Sequence, residues 1–139
     1  FNITYLKRQV MCAKLLYDEM GIKKSDIEAR KKAVLRNYKF YDAPHVCFIG
    51  MHEKFGSSIA LDVGIYVQTL MLSMNAYGVA CCPQATLRDY PDLIRKEFNI
   101  SSSIKILLGI SFGFESKSVK ANKVKMPRAD MEENFFLKF

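Results

Sequence analysis

The first forty residues alternate apolar and polar positions with the period of an α-helix. Apolar side chains return every three or four positions at Ile3, Leu6, Val10, Ala13, Leu16 and Met20. This spacing predicts a helix over residues 3–20, and Gly21 stands where a helix C-cap is expected. Ser25 and Glu28 form a capping-box pattern, which predicts a second helix over residues 26–41.

Two short apolar runs bounded by turn residues predict buried strands. The first covers residues 45–51 and follows Pro44. The second covers residues 103–114, and its glycines indicate that another part of the chain approaches the backbone closely.

Residues 59–76 are apolar on nearly every side, which predicts a central helix that is buried all round. Gly78 is its expected C-cap. A further helix is predicted over residues 90–98, with Asp89 as the N-cap. Because the strictly apolar runs of the chain are only a few residues long, no segment is expected to span a bilayer.

This order of helices and strands predicts an α+β fold with a central sheet between helices. Residues 115–133 are expected to form an extended basic loop, and the apolar tail 133–139 a final strand. Two strands and a tail are few for a buried sheet, so either strands are missing or a partner supplies them. A chain of 139 residues suits one domain, residues 1–139.

The net charge of +7 comes from 21 basic and 14 acidic residues. An excess of this kind suits a solvated surface, a phosphate-containing ligand or nucleic acid. The basic residues do not form one dense block, and no RNA-binding, helix-turn-helix or zinc-finger pattern is present. We therefore expect neither a nucleic-acid nor a membrane partner. A solvated surface and a phosphate-containing ligand both stay open as explanations of the charge.

The segment Cys81-Cys82-Pro83-Gln84 raises the question of metal ligation or redox chemistry. Adjacent cysteines form a disulfide only with strain. No ligand spacing typical of zinc joins them to a histidine, so no metal is expected. Reduced thiols, which fit the cytoplasm, are the expected state.

Four blocks of the sequence carry a resemblance to a known family. They are NYKFYDAPHVCFIGM, LDVGIYVQTLMLSMNAYGVACCPQ, YPDLIRKEFNISSSIKILLGISFGF and ANKVKMPRADMEE. In this order and spacing, the chain resembles the flavin-dependent nitroreductase family. The second block is the most specific, with the family's pattern present at Asp62, Gly64, Gln68, Leu72, Gly78, Cys82, Pro83 and Gln84.

The resemblance implies a three-layer α/β/α sandwich with a central, mainly antiparallel sheet. It also implies an intertwined homodimer in which the C-terminal tail is exchanged. The family binds FMN between its subunits, takes a hydride from NAD(P)H and reduces a small-molecule acceptor, such as a nitroaromatic or a quinone, in ping-pong order through flavin N5. The cofactor carries this chemistry, so no catalytic side chain is expected.

The resemblance also assigns cofactor-binding residues. The flavin ring is expected beside Pro83, Gln84, Ala85 and Thr86, with backbone N–H groups near the last two donating toward N5 and O4. The cysteines are then packing residues.

A basic pair is assigned to the FMN phosphate by the same resemblance. Arg128 matches the position of a family arginine, and Lys125 precedes it. A guanidinium suits bidentate phosphate binding, and a lysine adds a point charge. The alternative is that both are solvated loop charges.

The N-terminal motifs of the family have no counterpart in this sequence, which begins with Phe1 rather than Met. Two explanations stay open: a piece of a longer reductase, or a truncated non-catalytic subunit or interaction protein without a complete flavin site. A basic domain that binds polyanions is a further rival, and its binding to arbitrary DNA would depend steeply on salt.

Overall fold

A computed structural model of the chain describes residues 3–133, 135 and 138. The α-helices are α1 Ile3–Glu19, α2 Ile27–Leu35, α3 Ser57–Ala76 and α4 Pro91–Phe98. The strands are β1 His45–His52, β2 Ala80–Gln84 and β3 Ile104–Gly113. Contacts divide the chain into one unit of residues 1–30 with 116–139 and a second unit of residues 31–115. The single domain expected over residues 1–139 stays a prediction.

The sheet lies in the second unit, and β3 is its central strand, antiparallel to both β1 and β2. Ile110 on β3 is the register partner of Cys47 on one side and of Pro83 on the other. The two predicted strands are confirmed, and β2 is an additional strand that the sequence analysis missed. Pro83 has no backbone N–H to donate, and a proline is tolerated here because β2 is an edge strand.

Helical elements cover both faces of this sheet. Phe112 of β3 lines a hollow together with Leu70 and Met74 of α3. Gly109 points the opposite way, because strand residues alternate between faces, and there it meets Leu87 of the 3₁₀ helix Ala85–Asp89. The predicted α+β class with an antiparallel central sheet is confirmed.

The buried apolar core is small and centred on β3. Ile110 is completely buried, and Ile106, Val67 and Leu87 are the other buried apolar side chains of the described residues. Gly109 is required for the close packing of Leu87, because a Cβ at Gly109 would lie 2.4 Å from Leu87 Cδ1.

Helix α3 is far more exposed than predicted. Of its twenty residues only Val67 is buried, so the expectation of a helix buried all round was wrong for the described chain. By length and composition, α3 is also a helix that could cross a membrane, a test that core helices of soluble proteins pass as well. By this criterion of length and composition, the expectation that no segment could span a bilayer was wrong. Polar residues interrupt the apolar runs of α3 without lowering its mean hydropathy enough.

The helix termini correct two further predictions. Asp26, rather than the predicted Ser25, accepts a hydrogen bond at the start of α2, from the backbone N–H of Ala29 at 2.9 Å. Asp89 was predicted to cap α4, but Tyr90 occupies the N-cap position without a side-chain bond. Helix α2 ends at Leu35, short of the predicted residue 41, and a 3₁₀ helix, Arg36–Asp42, follows it.

In the first unit, α1 contacts a short 3₁₀ helix, Lys120–Lys123. Arg8 of α1 forms an ion pair with Glu133, which belongs to a second short 3₁₀ helix, Met131–Glu133. Residues 115–133 are therefore mostly irregular, as predicted, with these two short turns. Most of the tail that was predicted to be a strand lies outside the described residues.

Candidate functional site

The segment Pro83–Thr86 spans the end of β2 and the start of the 3₁₀ helix Ala85–Asp89. Pro83 and Ala85 are exposed, whereas Gln84 between them is only 2% exposed. No side chain caps this 3₁₀ helix, and the first N–H groups of any helix have no partner within it. The segment thus presents two small apolar side chains outward while the Gln84 amide points inward.

Asn37 ties this segment to the 3₁₀ helix Arg36–Asp42. Gln84 Nε2 donates to the backbone carbonyl of Asn37 at 2.9 Å and lies 3.3 Å from Asn37 Oδ1. Thr86 Oγ1 donates to the same Oδ1 at 3.1 Å. The Tyr41 hydroxyl donates to it at 2.7 Å, and Asn37 Nδ2 donates to the Val34 carbonyl at 3.0 Å.

These contacts fix the orientation of both side-chain amides. A backbone carbonyl only accepts, so the Gln84 atom that faces the Asn37 carbonyl must be the nitrogen. The same reasoning places Asn37 Nδ2 toward Val34 and leaves Oδ1 for the two hydroxyls. Gln84 Oε1 is then buried with no hydrogen-bond partner among the described residues. Such an acceptor costs roughly 1–3 kcal/mol, so the Nε2 contacts must outweigh it.

The turn that carries Asn37 has an unusual backbone. Phe40, Tyr41 and Asp42 have φ of 53°, 54° and 63°, in the left-handed region. A residue other than glycine occupies this region at a cost of about 1–2 kcal/mol, with asparagine and aspartate the best tolerated. An ion pair of 2.8 Å between Arg36 and Asp42 closes the turn, and the ring of Phe40 packs against Phe48 of β1. These contacts hold a conformation that the isolated segment would avoid.

Lys125 and Arg128, the predicted phosphate pair, belong to the first unit and lie between its two 3₁₀ turns. Both side chains are exposed. Within the described part of the chain, no ion pair to an acidic residue involves either of them. They are therefore available to an anion from solution.

The cysteines of the second unit have the properties of packing residues. Burial raises the pKa of the Cys47 and Cys81 thiols above their ordinary value. Loss of solvent around the sulfur, and then the neighbouring Cys81, raise the pKa of Cys82 as well. Thiols of this kind stay protonated at neutral pH and are poor nucleophiles. Among the described residues, no group of three or more potential ligands could hold a metal ion.

Asn37 is the residue of this site that the sequence analysis missed. It lies in the first of the four family-like blocks, but the helical pattern assigned it to a helix over residues 26–41. Its contacts to Gln84 and Thr86 join residues 47 and 49 positions apart, and a pattern of local spacing carries no information about such pairs.

Comparison with known proteins identifies relatives of this chain. A model described as Nitroreductase family matches residues 6–114. The chain is 40% identical over 118 residues to the Nitroreductase NfnB of Mycolicibacterium smegmatis, covering 85% of this chain and 50% of that protein. It is 29% identical over 131 residues to the 4-nitrobenzoate reductase of Pseudomonas putida, covering 94% of this chain and 57% of that protein.

A solved structure resembles the whole chain. It is the crystal structure of the FMN-dependent nitroreductase NfnB from Mycobacterium smegmatis in complex with NADPH, with a TM-score of 0.94 at 35% identity. The likeness covers 100% of this chain and 62% of that one. The chain spans about half the length of the curated relatives it matches. The matched family region contains Asn37 and the segment Pro83–Thr86 and ends before Lys125 and Arg128.

Proposed function

The chain belongs to the nitroreductase family, and on that premise we propose that the protein is an FMN-dependent NAD(P)H oxidoreductase. Its acceptors are nitroaromatic compounds, quinones or similar small molecules. The names of the two relatives, which specify reduction of nitro compounds, support this, as does the NADPH complex of the similar structure. The exposure of Pro83 and Ala85, at the end of the most specific family-like block, is the structural observation that carries the proposal.

The residues present have the right chemistry for FMN, which has an electron-poor ring and an anionic phosphate. When bound, FMN would supply the redox chemistry, namely hydride transfer from NAD(P)H to the acceptor in ping-pong order. Pro83 and Ala85 offer an exposed apolar surface to a ring. The backbone N–H groups of Ala85 and Thr86 are the donors assigned to N5 and O4, where they stabilise negative charge. The Gln84 side chain, turned toward Asn37, holds this segment in place.

Arg128 and Lys125 are the residues we assign to the FMN phosphate. Both are exposed and have no acidic partner among the described residues, so no described ion pair must break when an anion arrives. A charge-assisted contact from a guanidinium to a phosphate is among the stronger hydrogen bonds in proteins.

We assign the exposed face of α3 to a homodimer interface. Four exposed residues follow one another at intervals of four, three and four along the helix, namely Leu61, Ile65, Gln68 and Leu72. This spacing forms a single seam of the kind that a second helix covers. A second copy of the chain would remove these apolar side chains from water, and Gln68 within the seam would favour one register. The free cysteines of the described chain suit a reducing compartment, so we place the protein in the cytoplasm.

The visible absorption spectrum of the full-length protein tests the proposal. A flavin band should be present after purification or after addition of FMN. Anaerobic NADPH or NADH should bleach it, and a nitroaromatic compound should restore it. A colourless protein that takes up no added FMN would refute the flavin role and favour the non-catalytic subunit. A flavin band that neither nucleotide bleaches would refute the reductase activity.

A further inference from the structure

We infer that Asn37 is a positioning residue, which holds the segment Pro83–Thr86 in the conformation that faces the flavin. The inference rests on the proposed function, because it assigns a role at the same site. Asn37 itself is assigned no contact with flavin or substrate. It acts through Gln84 and Thr86, the two residues of the segment whose side chains turn toward it.

The geometry of the contacts supports this role. The backbone carbonyl of Asn37 accepts a hydrogen bond from Gln84, and its side-chain oxygen accepts one from Thr86. Asn37 therefore contacts the segment at two points, one on each side of Ala85. Two contacts that flank one residue restrict rotation of the backbone between them. Ala85 and Thr86 carry the N–H groups that are assigned to the ring.

Asn37 is itself held by hydrogen bonds to its neighbours in the chain. Its Nδ2 donates to the Val34 carbonyl, and its Oδ1 accepts a hydrogen bond from the Tyr41 hydroxyl. The backbone of Tyr41 lies in the left-handed turn. Gln84 is 2% exposed and its Oε1 has no partner among the described residues, so the Nε2 contacts to Asn37 are what retain a polar side chain in this position.

On the opposite side of the segment, an apolar side chain packs against the sheet. Leu87, one residue after Thr86, is buried against Gly109 of β3. The segment is therefore held on the sheet side by apolar contact and on the Asn37 side by hydrogen bonds. Loss of the Asn37 side-chain oxygen would leave the sheet contact and the Gln84 bond to the Asn37 backbone carbonyl in place, and it would release Thr86.

The variants that test this role distinguish the hydrogen-bonding groups of the Asn37 side chain from its volume. Asn37→Ala removes Oδ1 and Nδ2. Asn37→Asp keeps an acceptor for Thr86 and Tyr41 and removes the donor to Val34. Thr86→Val removes a single hydroxyl with little change of shape, and it keeps the test open should Asn37→Ala fail to fold. The matched controls are Asn122→Ala, which removes an amide-to-carbonyl bond of 3.0 Å in the other unit, and Thr69→Val on α3.

The first measurement is hydrogen exchange of the full-length protein without flavin, read by mass spectrometry. Amides of residues 87–89, whose N–H groups can bond within the 3₁₀ helix Ala85–Asp89, should exchange about tenfold faster in Asn37→Ala, which corresponds to roughly 1.4 kcal/mol. Exchange in β3 should be unchanged. Asn37→Asp should restore slow exchange, Thr86→Val should show a smaller acceleration, and the two controls should show none. Unchanged exchange at residues 87–89 in both Asn37→Ala and Thr86→Val would overturn the inference, whatever the protein binds.

The second measurement is the midpoint potential of the bound flavin. Asn37→Ala should make it more negative, because misaligned donors stabilise the reduced ring less. Asn37→Asp should recover most of the shift. Faster exchange together with an unchanged potential would overturn the positioning role and leave a purely structural one. Faster exchange in a protein that binds no flavin would refute the proposed function and, with it, the flavin-facing part of the inference, while the contact itself would stand.

Discussion

The Gln84 side chain donates from Nε2 to the backbone carbonyl of Asn37 at 2.9 Å, across 47 positions of sequence. This bond joins the end of edge strand β2 to the 3₁₀ helix that precedes β1. It turns a glutamine of the family-like motif away from solvent and leaves Pro83 and Ala85 exposed on either side. The Gln84 side chain, which the resemblance assigned to the flavin, thus turns toward Asn37, and its assignment to the flavin stays a prediction.

Gln84→Glu should destabilise the fold at neutral pH by about 3–5 kcal/mol, because it removes the donor and buries a carboxylate against two oxygens of Asn37. Burial would raise the pKa of this carboxyl in the folded state. The protonated form would then stabilise the folded state, so stability should be highest below the unfolded pKa near 4.3 and fall as pH rises through the raised value. Urea unfolding at several pH values measures this, with Gln9→Glu at an exposed position of α1 as the control. Equal losses at both positions would contradict the burial argument.

Gly109→Ala should destabilise the protein by about 1–3 kcal/mol, because the new Cβ would lie 2.4 Å from Leu87 Cδ1. Gly64→Ala within α3 is the matched control, since nothing lies within 4 Å of its Cβ position. That control should stabilise α3 by up to about 1 kcal/mol. Thermal unfolding of both variants gives the comparison, and a neutral Gly109→Ala would show that Leu87 moves aside without cost.

Leu72→Glu should dissociate the proposed homodimer, because it places a charge in the apolar seam of α3. Leu93→Glu on α4 is the control, since the two leucines are similarly exposed at 61% and 67% and only Leu72 lies in the seam. Light scattering after size-exclusion chromatography gives the molar mass. A Leu72→Glu protein with the same mass as the unmodified dimer would move the interface elsewhere.

Arg128→Ala should weaken FMN binding by about 1.5–3 kcal/mol, the value of a charge-assisted hydrogen bond. Arg128→Lys should recover part of it, since lysine keeps the charge and loses the bidentate fork. Flavin fluorescence titration measures the Kd, with Lys117→Ala as the control for loss of one positive charge. An unchanged affinity in Arg128→Ala would remove the phosphate assignment.

Alkylation of Cys82, the exposed cysteine, should be slower than that of free cysteine at pH 7.5, because its raised pKa keeps the thiol protonated. The rate should rise with pH beyond the ordinary value near 9.0. The raised pKa values of Cys47, Cys81 and Cys82 also contribute stability that is fully present below the unfolded pKa and lost as pH rises through the folded one. Iodoacetamide labelling followed by peptide mass spectrometry tests the first point. Fast labelling at pH 7.5 would contradict the packing role.

Local patterns in the sequence were sufficient to place the regular elements. The helical spacing of α1, the apolar runs of β1 and β3, and the helical segment that becomes α3 were all predicted, because each depends on neighbours within a few positions. Strand β2 was missed since a Cys-Cys-Pro-Gln segment has little strand character of its own. It becomes a strand only because β3 offers an edge that tolerates Pro83.

The sequence by itself determined the family through residue types at fixed spacing, together with the segment Pro83–Thr86 as the candidate site. Only the tertiary structure decided which way those residues face. The burial of Gln84, the contact of Leu87 with Gly109 and the exposure of the α3 seam depend on which distant segments pack together. Asn37 became part of the site for the same reason. Hydrogen bonds between residues far apart in the chain produce no local periodicity in the sequence.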